Sequence, residues 1–120
     1  MGSVFTDWDT TTEEWFSFLA GSWDVREAKR ILAKKPRKGV TFNPADWREF
    51  AGNIGGEGPA DEKVNLDVPV VFITRKSDGK TWNLPIDGWN RIRKANLQGV
   101  LELPAVVLTL TESRKIARGA

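Results

Sequence analysis

The chain has 120 residues, enough for one domain with a single core, and 40% of them are hydrophobic, including six Trp and six Phe. It contains no Cys, no His and no Tyr, which excludes disulfides, thiol nucleophiles, thiolate metal sites and an imidazole proton shuttle. Acid–base chemistry falls to Asp, Glu or Lys, and a metal would be a hard, oxygen-bound ion such as Mg²⁺.

The formal net charge is only +2, but the basic residues are clustered. One group is Lys34, Lys35, Arg37 and Lys38, a second is Arg91, Arg93 and Lys94, and a third is Arg114, Lys115 and Arg118. Such groups are either solvated faces or contacts for phosphate backbones. No apolar run is long enough to cross a bilayer and no signal peptide is visible, so the expectation is a cytoplasmic protein without a membrane partner.

In chain order, a polar leader precedes two capping-box spacings, Thr10 to Glu13 and Thr11 to Glu14. These predict a helix over 12–20, with Trp15, Phe16 and Leu19 inward, Phe18 off that stripe and Gly21 as its stop. Asp24 with Glu27 opens a second helix over 25–35, whose buried stripe is Val25, Ala28, Ile31 and Leu32 and which Pro36 ends. Residues 40–42 predict a short strand. Asn43 caps a third short helix with Pro44 at its first position and Trp47 and Phe50 facing inward. The Gly-rich stretch 52–61 reads as a connector or lid, because it lacks the Walker lysine and a preceding buried strand.

From Val64 onward the pattern is β, β, α, β, α. Residues 68–74 and 80–86 form a hairpin around Ser77, Asp78 and Gly79. A helix over 89–98 closes at Gly99, a buried strand spans 103–108, and Thr111 and Glu112 begin a last helix that frays at its end. Trp82 alternates with Leu84 and Ile86 and reads as core. The arrangement predicts an α+β single domain over 1–120, with a helical N-terminal extension over 1–40 and a motif-bearing core over 64–116.

The chemistry concentrates where the hairpin passes through Asp87 and Gly88 into the helix that begins Trp89, Asn90, Arg91. The first N–H groups of a helix have no intrahelical acceptor, and the helix dipole adds partial positive charge there, so this corner suits an anion. Arg91 adds a fork of donors. Gly88 lets the backbone approach the anion, or simply satisfies a turn. Asp87 is a Mg²⁺ ligand or base on one reading and a helix cap on the other. Asn90 hydrogen-bonds but is no general base. Trp89 stacks on a base, or packs in the core. Glu57, Asp61 and Glu62 in the Gly-rich loop are further candidate acids.

The run Val68-Pro69-Val70-Val71-Phe72-Ile73, then Asp87-Gly88-Trp89-Asn90-Arg91, then Gly99 and Leu103-Pro104-Ala105-Val106-Val107-Leu108 resembles the ParB/sulfiredoxin superfamily. In that superfamily an apolar strand and hairpin lead to a DGxHR or GxRR box that opens a helix. The likeness is strongest to small free-standing ParB-like proteins of plasmids and other mobile elements, and it covers residues 64–116. It implies a small mixed sheet with flanking helices and an active-site position at the box. It also implies binding of a nucleoside triphosphate or nucleic-acid phosphate, with weak Mg²⁺-dependent ATPase or nuclease activity. Sulfiredoxin chemistry needs a box cysteine that is missing here, and Asn90 stands where related boxes carry His. The alternative is therefore a catalytically inactive module that binds a protein partner, namely a plasmid, phage or DNA-transfer protein.

Overall fold

The computed structural model describes residues 8–11, 14–18, 21–51 and 64–119. Among these, the chain folds as an α+β domain with four α-helices, a four-stranded mixed sheet and a three-stranded antiparallel sheet.

The larger sheet has the order β3-β6-β4-β5. Its centre is β4 (Val70–Ser77), antiparallel to β5 (Lys80–Asp87) and parallel to β6 (Leu103–Val107), while β3 (Val40–Phe42) pairs antiparallel with β6. The β4–β5 hairpin turns through Asp78 and Gly79, both at positive φ (53° and 76°). This mirror-image turn matches the right-handed twist of the strands, and it needs a residue pair such as Asp-Gly. β4 begins with four consecutive buried residues, as expected of a strand covered on both faces. Pro85 is tolerated because β5 lies at the sheet edge, where a missing N–H costs no ladder bond.

α1 (Val25–Lys34) starts where the Asp24 carboxylate accepts the Glu27 N–H, and it buries Val25, Ala28 and Leu32. Asn43 caps a 3₁₀ turn (Pro44–Trp47) that runs into α2 (Arg48–Ala51). α3 (Trp89–Gln98) buries Trp89, Ile92 and Ala95, and Gly99 closes it. α4 (Leu110–Ile116) carries a complete capping box between Thr109 and Glu112. Its buried Ser113 accepts the Thr74 N–H at 2.9 Å and donates to the Thr109 carbonyl at 2.7 Å, which fixes the helix to β4. No helix among the described residues is long and apolar enough to cross a membrane.

The N-terminal expectation fails. Where a helix over 12–20 was expected, the chain forms β1 (Trp15–Phe18), followed by β2 (Gly21–Asp24). The last residues do not fray either: β7 (Ala117–Gly119) pairs with β2, giving the order β1-β2-β7. The cause is tertiary. Phe16 sits opposite Trp23, which sits opposite Ala117, and both rings enter the core, Phe16 beside Trp89, while Trp15 is partly exposed. Adjacent Trp15 and Phe16 satisfy a helical stripe or a strand alternation equally, and the pairing partners are distant in sequence. One aromatic position also differs from expectation. Trp47 packs against Phe72 and Trp89, but Phe50 is exposed rather than inward. Trp82 is half-buried and packs against the core as expected, with the Arg75 guanidinium over its ring at 5.4 Å. The Gly-rich stretch 52–61 and the acids Glu57, Asp61 and Glu62 lie outside the described residues.

Candidate functional site

The hairpin delivers the chain to α3 across an irregularity. The β4–β5 register shifts between Val71 and Phe72, so that Val71 faces Asp87 and Phe72 faces Pro85. A bulge of this kind bends a strand and re-aims the residues beyond it. Gly88 then takes φ +105° and becomes the N-cap of α3, with no side-chain cap bond. A Cβ at this position would lie 2.8 Å from Arg91 Nη2 and 2.9 Å from Val70 Cγ2. Both the backbone angle and the space therefore require glycine. Asp87 ends β5 and does not cap the helix, so its capping role is set aside.

Arg91, one turn into α3, folds back over Gly88. Its Nη2 donates to the Pro69 carbonyl at 3.1 Å and to Asp87 Oδ2 at 3.3 Å. Its Nε is buried and finds no acceptor among the described residues. Trp89 Nε1 is a second buried donor without an acceptor among the described residues, so both unsatisfied donors lie in the first turn of α3.

Two residues that sequence reasoning missed complete the corner. Lys29 of α1 places its Nζ 2.7 Å from Glu14 Oε1 and 3.8 Å from Asp87 Oδ2. The side chains of Lys29, Glu14, Asp87 and Arg91 are 12%, 32%, 21% and 16% exposed, so the four charges interact away from bulk water. No sequence signal announced Lys29: the α1 stripe places it beside Ala28 and off the core face, and only the docking of α1 brings it to β5.

This arrangement bears on the expected Mg²⁺. The corner has two carboxylates, Glu14 and Asp87, and an ammonium occupies the space between them. Among the described residues no group of three metal-ligating side chains occurs. A Mg²⁺ ion at Asp87 would compete with Lys29 and Arg91 for the same carboxylate.

Trp89 does not offer its ring for base stacking. It is 5% exposed, lies 5.9 Å from Phe16 in a stacked arrangement and meets Trp47 edge-on at 6.0 Å. It heads the buried face of α3 with Ile92 and Ala95, and burial of so large a side chain outweighs any surface role. Asn90 is exposed on the first turn. A cavity of about 360 Å³ opens in front of the corner, lined among others by Glu14, Asn65, Asp87, Gly88, Asn90 and Arg91. Gly88, Asn90, Arg91 and Asp87 are thus brought together as the sequence suggested, while Trp89 supports them from beneath.

No protein-family model, no curated protein and no solved structure matches this chain.

Proposed function

We propose that this protein is a ParB/sulfiredoxin-type phosphate-recognition domain that holds the phosphates of a nucleoside triphosphate at the N-terminus of α3 and does not hydrolyse them. One observation supports the reading: the α3 N-terminus has no side-chain cap and faces a cavity beside a guanidinium whose buried Nε lacks an acceptor among the described residues. The phosphate oxygens would accept from the first N–H groups of α3 and from Arg91. The absence of His and Cys and the engagement of Asp87 by Lys29 and Arg91 favour binding over ATPase or nuclease turnover.

A second reading is favoured by that same pairing. With Glu14, Lys29, Asp87 and Arg91 neutralising one another, the corner would be a structural lock inside a module that binds a protein partner. Calorimetric titration of ATP, CTP and ADP, each with Mg²⁺, into wild type and Arg91→Ala separates the two. Under the proposal wild type binds at least one of them and Arg91→Ala loses at least about tenfold, equal to about 1.4 kcal/mol. Wild type that binds none of the three sinks the nucleotide reading and leaves the interaction module. Product formation with ATP would overturn the claim of binding without hydrolysis.

A further inference from the structure

The larger sheet is incomplete on one side. β6 runs parallel to β4 only as far as Val107, opposite Phe72, and the Leu108 N–H donates to the Phe72 carbonyl at 2.9 Å before the chain turns into α4. β4 continues to Ser77, paired there with β5 alone among the described strands. Ser77 and Lys80 flank a two-residue turn, so Ile73, Arg75 and Ser77 exchange hydrogen bonds with β5. Phe72, Thr74 and Lys76 turn their backbone groups to the other side. The Thr74 N–H on that side is taken by Ser113 Oγ at 2.9 Å. The Thr74 carbonyl and both backbone groups of Lys76 have no partner among the described residues.

Beside this open edge, between β4, α4, β2 and β7, lies a cavity of about 430 Å³. Its lining includes Arg75, Lys76, Arg114 and Arg118, and among the described residues no carboxylate lines it or pairs with any of the four. Trp23, Leu110 and Ala117 add apolar lining. A neighbouring cavity of about 340 Å³ shares Arg118 and adds Lys34, Lys35 and Lys115, while its acids Glu27 and Glu112 are neutralised by Arg30 and Arg37. Backbone and charge together select what fits this α4 face. One residue of an extended segment running parallel to β4 can donate to the Thr74 carbonyl and accept from the Lys76 N–H, as a longer β6 would. A sugar–phosphate backbone brings acceptors without that alternating donor. Cations at a sheet edge discourage indiscriminate strand pairing, and here they favour a strand with acidic side chains.

We propose that the α4 face captures an extended acidic segment of a partner protein as an added strand alongside residues 74–76. The site is separate from the α3 corner and rests on neither reading of it. The test is fluorescence anisotropy of a labelled ten-residue peptide alternating Glu and Thr, titrated with the full chain, together with amide NMR of the complex. Replacing Glu by Lys in the peptide should weaken binding at least about tenfold. Methylating one alternate set of its backbone nitrogens keeps every charge but removes donors, and for one of the two sets it should also cost about tenfold. Lys76→Glu with Arg114→Glu, two exposed positions, should weaken binding at least about tenfold while the melting temperature holds. The Lys76 amide should shift and gain protection from hydrogen exchange in the complex. Absence of binding by wild type overturns the proposal, as does equal binding by the charge-reversed variant or indifference to both methylated sets. Tighter binding of a twenty-nucleotide oligo-dT than of the peptide overturns it in favour of nucleic acid. Self-association of wild type that the charge reversal abolishes overturns it in favour of a second copy of this chain. Amide shifts centred on Gly88 and Asn90 instead of Lys76 overturn it by placing the peptide at the α3 corner.

Discussion

The α3 corner and the α4 face use the same residue types to opposite effect. At the corner, two cations and two anions from three separate parts of the chain are folded against one another, largely out of water. On the α4 face the cations outnumber the acids and line open clefts. Paired, partly buried charges fix geometry, because removing one leaves its partner uncompensated. Clustered surface charges raise the local potential at some cost in self-repulsion and act on whatever approaches. The corner is built to be rigid and the α4 face to be attractive, and substitutions should separate these two properties.

The largest loss of stability is expected from Gly88→Val. The new side chain would collide with Arg91 and Val70 at a backbone angle of +105°, costing about 3 kcal/mol in urea denaturation. Wild-type stability in this variant would mean that the corner is far looser than the packing around Gly88 indicates.

Next comes the Arg37–Glu112 pair, which joins the loop after α1 to the start of α4. Two hydrogen bonds link the groups, at 2.5 and 2.9 Å. The Arg37 guanidinium, helped by the Thr109 N–H, holds the Glu112 carboxyl at about 2 against its ordinary 4.5. A depressed folded value means that the native state prefers the ionised form. Its contribution is therefore complete above about pH 4.5 and drains away as the pH falls toward 2. Lowering the pH through that window should cost on the order of 2 kcal/mol from this group, and Glu112→Gln should remove that part of the pH dependence. An unchanged acid slope in the variant would show that Arg37 does not hold Glu112 in solution.

Lys29→Met should cost about 1–2 kcal/mol, since Glu14 and Asp87 then face each other without the ammonium. Adding Glu14→Gln should restore part of the loss, because the two positions are coupled. Strict additivity would argue that Lys29 serves only one of the two carboxylates. The smallest effect on stability belongs to Lys76→Glu at the exposed end of β4: the melting temperature should not move. A drop in melting temperature would place Lys76 with the interlocked residues and blur the contrast between the two regions.

Much of this was legible in the residue pattern. The Asp78-Gly79 turn, the caps at Asp24 and Asn43, the α3 stripe with its Gly99 stop and the clustering of Asp87, Gly88, Asn90 and Arg91 are all local. Each depends on backbone preferences or on contacts within a few residues. Trp89 was harder to place, because its position at the head of a helix does not say which way the ring faces. The stacking of Phe16 and the edge contact of Trp47 decide that, and both come from distant parts of the chain. The last helix was placed one residue late, since Thr111 and Thr109 offer similar caps and the Glu112 spacing selects Thr109.

By itself, then, the sequence determined the hairpin, its helix and the chemistry excluded by the absence of Cys and His. Only the tertiary structure decided that residues 15–18 extend into a sheet with the C-terminal residues, that Lys29 lies between Glu14 and Asp87, and that the arginines of β4 and β7 face one cleft. The physical reason is range. Turns and caps are set by neighbours along the chain, whereas strand pairing and ion pairing between distant segments become favourable only after the core has brought those segments together.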